Sequence, residues 1–118
     1  MKILYLEDNA QDAMFVKRYL DVTEHELELV SSVTEAEPRC DSSVDLFLMD
    51  VMINNERSGL DFMKKLRQAG FKKPTVAVTA LSSNNDIESC RKAGFNAVLV
   101  KPYTIQHLVE IIEEMHSL

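Results

Sequence analysis

The chain has 118 residues and a formal net charge of −6, which fits one domain with one core and argues against non-specific binding to nucleic acid. No apolar run approaches the roughly 18 to 20 residues of a membrane span, and acidic residues appear by position 7, so neither a membrane span nor a signal peptide is predicted. Cys40 and Cys90 match no metal-site spacing, which favours a cytoplasmic protein with free thiols.

The N-terminal part of the chain predicts two strands separated by a helix. Lys2 to Leu6 forms a nearly continuous apolar strand, and Gln11 to Leu20 carries apolar residues on one helical face. Asp8 or Asn9 can cap this helix. Residues 25–33 (HELELVSSV) alternate leucine with glutamate, which predicts a strand exposed on one face at the edge of a sheet.

The middle of the chain begins with a short polar stretch that could hold a small helix with Pro38 in its first turn. Val44 to Val51 is a dense apolar run and predicts the third strand. After the loop MINNERSG, a helix is predicted from Gly59 to Ala69, capped by Ser58 and stopped by Gly70.

Two further strand–helix pairs complete the chain. PTVAVTAL predicts a fourth strand, followed by a helix from Asn85 to Ala93 that ends at Gly94. NAVLVKP predicts a fifth strand that ends at Pro102, and Thr104 caps the last helix.

Five strands alternate with five helices, which predicts an α/β protein with a parallel sheet covered on both faces. Right-handed crossovers then favour a three-layer α/β/α sandwich of the flavodoxin-like (βα)5 type. The predicted strand order is 2-1-3-4-5, with the alternating second strand at an edge, in a single domain over residues 1–118.

Polar side chains follow four of the predicted strands at their carboxyl ends: Glu7 and Asp8, Asp50, Thr79 and Lys101. In such folds these ends meet at one edge, where ligands bind. Acidic residues near a helix N-terminus stabilise the helix by themselves, so on their own they do not indicate a bound ligand. Stability, however, does not require three acids and a lysine at one edge, so the combination predicts a functional site.

Three crowded carboxylates repel each other, and a hard divalent cation relieves that repulsion. Mg²⁺ prefers oxygen ligands, so Asp8 and Asp50 are the predicted direct ligands, with the backbone carbonyl of Met52 as a third and Glu7 acting through a water. No Cys or His falls at these strand ends, which argues against zinc or iron.

The other polar residues at this edge suit an anion. Lys101 supplies a compact positive charge and Thr79 a hydroxyl donor, which together with the metal would neutralise a phosphoryl group. A neighbouring carboxylate can act as the nucleophile and form an acyl phosphate, and the central position of Asp50 assigns it that role.

The segments LYLEDN, LFLMDV, VAVTAL and VLVKPY, each at a predicted strand end, resemble those of a response-regulator receiver domain of the chemotaxis-regulator type. The resemblance implies Mg²⁺-dependent phosphorylation of Asp50 by a sensor histidine kinase or a phosphotransfer protein. It implies that Thr79 then moves inward and rearranges the face formed by helix 4, strand 5 and helix 5. It also implies a cis peptide between Lys101 and Pro102.

By the same resemblance, the chain is a signalling switch that controls a downstream partner or output domain, and not an enzyme beyond its own phosphorylation and dephosphorylation. A monomer or a weak phosphorylation-dependent dimer is expected, with no direct contact to nucleic acid or membrane.

The sequence departs from the receiver pattern at two places. Asn54 replaces a Pro that usually follows the phosphorylated Asp by four residues, and Gly59 comes one residue late, which predicts a longer and less constrained loop. Val98 replaces the usual aromatic residue on strand 5, so the output signal is expected to rest on Thr79, the loop before helix 4 and Tyr103.

Three other functions are weighed against this one. A phosphatase with an Asp nucleophile usually needs an acid two residues after that Asp, where Met52 stands. A flavin carrier needs a Ser/Thr/Gly-rich phosphate loop, but EDNAQD is acidic. A receiver-like interaction module that works without phosphorylation remains an alternative.

Met52 and Leu81 are apolar and cannot orient a hydrolytic water, which predicts a long-lived phosphoryl group.

Overall fold

Five parallel strands form one sheet in the computed structural model, which describes residues 1–118. The strands are β1 (Lys2–Leu6), β2 (Glu26–Val30), β3 (Leu46–Met49), β4 (Thr75–Thr79) and β5 (Ala97–Val100). The helices are α1 (Ala10–Leu20), α2 (Val33–Ala36), α3 (Ser58–Gln68), α4 (Asn84–Ala93) and α5 (Ile105–His116). The strand order β2-β1-β3-β4-β5 confirms the flavodoxin-like three-layer prediction.

Alternate residues along the strands point into two apolar cores, because side chains on a strand alternate between the two faces of the sheet. The first core, here the α1/α5 core, contains Ile3, Tyr5, Val16, Leu20, Leu46, Leu48, Val76, Val78, Leu99, Leu108, Ile112 and Met115. The second, the α3/α4 core, includes Leu4, Leu6, Phe47, Met49, Phe62, Met63, Leu66, Ala77, Cys90 and Ala93. None of the helices combines the length and hydropathy required to cross a membrane.

The edge position of β2 agrees with its alternating sequence. This strand pairs only with β1, while Leu27 and Leu29 are half-buried and Glu26 is exposed. Downstream of β2, α2 runs into a 3₁₀ turn (Glu37–Arg39) that holds Pro38 in its first turn, as the sequence predicts.

Side-chain caps define the start of four helices, including α2, which Ser32 caps. Asn9, rather than Asp8, caps α1, and Thr104 caps α5 as predicted. Ser83 caps α4, which therefore starts one residue earlier than the sequence indicates. The prediction that Ser58 caps α3 is wrong, because Ser58 is already the first helical residue and no side chain caps this helix.

The start of α3 is held by backbone contacts. The N–H of Gly59 donates to the carbonyl of Val51 at 3.0 Å, so this helix-terminal donor needs no side-chain partner. A Cβ atom at Gly59 would lie 2.6 Å from the carbonyl oxygen of Asp50. Glycine at this position therefore allows α3 to approach the end of β3 closely.

The loop after β3 contains a tight hairpin, and the prediction that this loop is less constrained than in other receivers stays a prediction. Ile53 and Glu56 exchange two backbone hydrogen bonds of 2.9 and 3.0 Å. Between them, Asn54 and Asn55 adopt φ values of 54° and 62°, and a two-residue hairpin loop with both φ values positive is typical of a type I′ turn. Asparagine tolerates the left-handed conformation that this turn requires, so no proline is needed to order the loop.

Candidate functional site

Glu7 and Asp50 lie side by side because the sheet continues past the ends of β1 and β3. The N–H of Asp50 donates to the carbonyl of Leu6 at 2.9 Å. Glu7 follows Tyr5 by two residues and Asp50 follows Leu48 by two, and both of these neighbours lie in the α1/α5 core. The two acids therefore point to the same face of the sheet and are buried there.

Lys101 reaches the same place from β5. It follows Leu99, which also lies in the α1/α5 core, by two residues. Its Nζ atom lies 2.6 Å from Glu7 Oε1 and 2.9 Å from Asp50 Oδ2. A third contact of 2.8 Å joins Nζ to Asp12 Oδ2.

Asp12 is a residue of this site that the sequence pattern does not single out. It is the third residue of α1, where an acid is ordinarily explained by the helix dipole or by a hydrogen bond back to the N-terminal cap. The N–H of the cap, Asn9, instead donates to Glu7 Oε2 at 3.3 Å. The Asp12 carboxylate is therefore free to contact Lys101.

Asp8 completes a cluster of three carboxylates with Glu7 and Asp50. Each of these side chains offers an oxygen atom within 4.8 Å of those of the other two. Asp8 Oδ2 also accepts a hydrogen bond of 2.8 Å from the N–H of Asn54. A set of oxygen donors without Cys or His fits Mg²⁺ better than zinc.

A cleft of about 290 Å³ opens above these carboxylates. Its lining consists of Glu7, Asp8, Asn9, Asp12, Asp50, Met52, Asn55 and Lys101. The N–H of Met52 donates to Asp50 Oδ1 at 3.0 Å, which orients the Asp50 carboxylate. Met52 thus lines the cleft where the sequence predicts it, and the role of its carbonyl as a metal ligand stays a prediction.

Thr79 lies at the same edge of the sheet, but its side chain does not line the cleft. It follows Ala77, which packs in the α3/α4 core, by two residues, so it points to the opposite face from Lys101. Its hydroxyl accepts a hydrogen bond of 3.1 Å from the N–H of Leu81, and its carbonyl accepts one of 2.8 Å from the N–H of Lys101. The role of Thr79 stays a prediction.

The charged groups of the cleft influence each other's proton affinity. Burial is the main cause that raises the pKa of Glu7 to about 7. The neighbouring Asp50 raises it further, whereas Lys101 lowers it. Burial and Glu7 also raise the pKa of Tyr5, whose hydroxyl donates to Glu7 Oε1 at 2.9 Å. Burial lowers the pKa of Lys101, but hydrogen bonds to Asp12, Glu7 and Asp50 outweigh burial and raise it above its ordinary value. Lys101 is therefore charged at neutral pH.

Three features that the resemblance connects with an output signal lie in or directly after β5. The peptide bond between Lys101 and Pro102 is cis, as the resemblance implies. Val98 is half-buried and packs against the α3/α4 core. The ring of Tyr103 packs edge-on against that of Phe15, with 5.6 Å between their centres.

The sequence profile of the response regulator receiver domain matches residues 3–113. The chain belongs to the response regulator receiver domain family. The match confirms the resemblance seen in the sequence. Receiver domains are the signalling switches of two-component systems, rather than enzymes in the usual sense.

Two relatives show the range of proteins that contain similar receiver domains. The chemotaxis protein CheY1 of Helicobacter pylori (strain ATCC 700392 / 26695) is 32% identical over 118 residues, which cover 96% of this chain and 94% of CheY1. The transcriptional regulatory protein CpxR of Klebsiella pneumoniae is 32% identical over 108 residues, which cover 92% of this chain. The match covers 46% of CpxR, so this receiver domain corresponds to less than half of that regulator.

Solved structures of receiver domains share the fold. The BeF3-activated N-terminal receiver domain of Klebsiella pneumoniae RstA superposes over the full length of both chains with a TM-score of 0.89 and 20% identity. The receiver domain of the Pseudomonas aeruginosa sensor histidine kinase PA1611 superposes over 99% of this chain and 98% of its own, with a TM-score of 0.86 and 25% identity. That structure contains a magnesium ion coordinated in its active site cleft.

Proposed function

We propose that this receiver domain is a Mg²⁺-dependent phosphoacceptor in which Asp50 receives a phosphoryl group. The observation that carries the proposal is the convergence of three carboxylates within 4.8 Å of one another, with the Lys101 ammonium group 2.9 Å from Asp50. Glu7 and Asp50 are buried, and Lys101 balances only part of the charge of the three carboxylates, so a bound cation would compensate the remainder.

The Asp8 and Asp50 carboxylates are the proposed direct ligands of Mg²⁺, with the Met52 carbonyl as a further ligand and Glu7 in an outer position. All four residues line the same cleft. When bound, Mg²⁺ supplies positive charge that neutralises the oxygens of a transferring phosphoryl group. The oxygen-rich lining of the cleft supports this assignment.

Asp50 is the proposed nucleophile. One of its carboxylate oxygens attacks phosphorus, the bond between phosphorus and the donor breaks, and the leaving group departs with the bonding electrons. With acetyl phosphate the leaving group is acetate, so no proton has to move. Lys101 stabilises the negative charge of the phosphoryl oxygens, since it is charged and already contacts Asp50.

The proposed output pathway runs from Thr79 to α4. The hydrogen bond between the Leu81 N–H and the Thr79 hydroxyl couples any movement of Thr79 to the loop before α4. An ion pair of 3.0 Å between Arg57 and Asp86 joins the first turn of α4 to the segment after β3. Because Val98 provides no ring, these contacts are the proposed means of changing the α4–β5–α5 face.

The proposed phosphoryl donor is a phosphohistidine on a sensor histidine kinase or a phosphotransfer protein. The proposed recipient of the signal is a downstream partner or an output domain that recognises the α4–β5–α5 face. Membership of the receiver family supports both assignments.

Incubation with Mg²⁺ and acetyl phosphate or phosphoramidate tests the proposal. We expect a mass gain of about 80 Da that is absent in Asp50→Asn and absent when EDTA removes the metal. Asp45→Asn is the matched control, because Asp45 precedes β3 at the opposite edge of the sheet and should leave the mass gain intact. No mass gain with either donor, or an undiminished gain in Asp50→Asn, contradicts the proposal.

A further inference from the structure

Lys101 directs its ammonium group to three carboxylates at once. The distances from Nζ are 2.6 Å to Glu7, 2.8 Å to Asp12 and 2.9 Å to Asp50. An ammonium group has three N–H donors, so these contacts use all of them. Glu7 and Asp50 belong to the proposed metal and phosphoryl chemistry, whereas Asp12 has no part in it.

The backbone of α1 holds Asp12 in place for its contact with Lys101. The side chain of Asn9 accepts a hydrogen bond of 3.0 Å from the N–H of Asp12, which fixes the first turn of the helix. The carboxylate of Asp12 remains partly exposed on the solvent side of the lysine, whose own side chain is 16% exposed. Asp12 is therefore the outermost of the three partners of Lys101.

Asp12 and Lys101 also separate two clefts. Both residues line the phosphorylation cleft, and both line a neighbouring cleft of about 520 Å³ whose other walls include Phe15, Pro102 and Tyr103. A flexible lysine side chain without its outer partner can turn toward this second cleft and lose its contact with Asp50. The contact with Asp12 opposes that movement.

We propose that Asp12 is a positioning residue for phosphoryl transfer, because it anchors the Lys101 ammonium group in the phosphorylation cleft. The proposal rests on the proposed function of Asp50. During transfer, Glu7 and Asp12 keep their hydrogen bonds to Lys101, and the third N–H passes from the Asp50 carboxylate to a phosphoryl oxygen. Asp12 itself touches neither the phosphoryl group nor the donor.

Chemical labelling of Lys101 measures the anchor without any phosphorylation. Metal-free protein is treated with a trace of acetic anhydride, and the acetylation of each lysine is followed by peptide mass spectrometry. We expect Lys101 to be labelled about tenfold faster in Asp12→Ala, the change expected for the loss of one charge-assisted hydrogen bond. Asp12→Asn keeps an oxygen acceptor but loses the negative charge, so Lys101 should be labelled at a rate between those of wild type and Asp12→Ala.

Asp21→Ala is the matched control for this experiment. Asp21 directly follows α1, and its carboxylate also binds a lysine, with 2.7 Å to Lys17 Nζ. We expect this variant to leave the labelling of Lys101 unchanged. Thermal melts followed by circular dichroism show whether each variant is folded.

Phosphorylation at saturating acetyl phosphate and Mg²⁺ gives the second measurement. We expect the rate to fall about tenfold in Asp12→Ala and to recover in part in Asp12→Asn, which keeps an oxygen acceptor without the charge. Equal losses in both variants, an unchanged rate in Asp12→Ala, or unchanged Lys101 labelling in Asp12→Ala each overturn the proposal. If wild-type protein accepts no phosphoryl group, the proposed function fails, and Lys101 labelling alone decides whether Asp12 anchors the lysine.

Discussion

The backbone N–H of Asn54 donates a hydrogen bond of 2.8 Å to Asp8 Oδ2, although 46 positions separate the two residues. Proline, which receiver domains usually carry at the position of Asn54, has no N–H to donate. The hydrogen bond ties the loop after β3 to the acidic cluster. A proline at this position could not make this contact.

Asn54→Pro should destabilise the protein, even though it restores the residue usual in the family. Proline fixes φ near −65°, whereas Asn54 has a φ of 54°, and the substitution also removes the donor to Asp8. We expect the free energy of unfolding in urea to fall by about 2–3 kcal/mol. Asn55→Gly is the control, because glycine adopts the φ of 62° without strain and should keep or raise stability. An unchanged urea midpoint in Asn54→Pro would show that the hairpin does not order the loop.

Gly59→Ala should displace the end of β3. The added methyl group would lie 2.6 Å from the carbonyl oxygen of Asp50 and 2.7 Å from the Cα of Val51, and both are backbone atoms that cannot move aside cheaply. We expect a loss of about 1–3 kcal/mol in the free energy of unfolding and a lower yield of phosphorylated Asp50. Ser58→Ala is the matched control and should be close to neutral, because the Ser58 side chain does not cap α3. Equal stability of the two variants contradicts the close contact.

The convergence of Glu7, Asp50 and Lys101 could be predicted from the sequence because it follows from the order of the strands. Each residue ends or follows an apolar run, and parallel strands bring their carboxyl ends to one edge. The same rule brings Thr79 to that edge, but it does not say which face of the sheet Thr79 takes. Residues two positions apart on a strand share a face of the sheet. Thr79 therefore lies on the face of Ala77, and Lys101 lies on the opposite face with Leu99.

Asp12 and the hairpin after β3 illustrate what the sequence pattern leaves open. An acid in the first turn of a helix is favourable anyway, so the sequence alone does not distinguish Asp12 from an ordinary helix-terminal residue. The dipeptide Asn54–Asn55 is a signal for a type I′ turn, since both residues tolerate a positive φ. Comparison with the proline usual in receivers points instead to a looser loop and does not indicate the hairpin that Ile53 and Glu56 close.

The affinity for Mg²⁺ should rise with pH through neutrality. The pKa of Glu7 is raised to about 7, so below that pH a proton on Glu7 removes negative charge from the cluster that holds the metal. We expect binding about tenfold weaker at pH 6 than at pH 8, measured by isothermal titration calorimetry. Glu7→Gln should bind Mg²⁺ with little change over the same range, and a similar rise in this variant would assign the effect to another group.

The metal-free protein should show the opposite trend in stability. Glu7 ionises near 4.5 when unfolded and near 7 when folded, so the folded state binds more protons between these values. The contribution of Glu7 to stability is therefore fully present below about pH 4.5 and is lost as pH rises through about 7. Urea unfolding in EDTA across this range should show a decline in wild type that is smaller in Glu7→Gln. Equal pH dependence in the two proteins contradicts the raised pKa.

The phosphoryl group on Asp50 should be hydrolysed slowly, because the side chains of Met52 and Leu81 are apolar and cannot orient a water molecule. Met52 lines the cleft with an apolar side chain, and Leu81, half-buried, packs against the α3/α4 core. Replacement with polar groups in the double variant Met52→Asn, Leu81→Glu should speed dephosphorylation by about tenfold or more, through hydrogen bonds to the attacking water. The decay of the mass gain after removal of acetyl phosphate measures this rate.

Met52→Leu is the control for that comparison, because it keeps an apolar side chain of similar volume at the same position and should decay at the wild-type rate. The N–H of Leu81 donates to the Thr79 hydroxyl, so the double variant is first checked for an unchanged rate of phosphorylation. If the double variant loses its phosphoryl group at the wild-type rate, the side chains at positions 52 and 81 do not limit hydrolysis. A faster rate in Met52→Leu would show that packing at this position, and not polarity, limits hydrolysis.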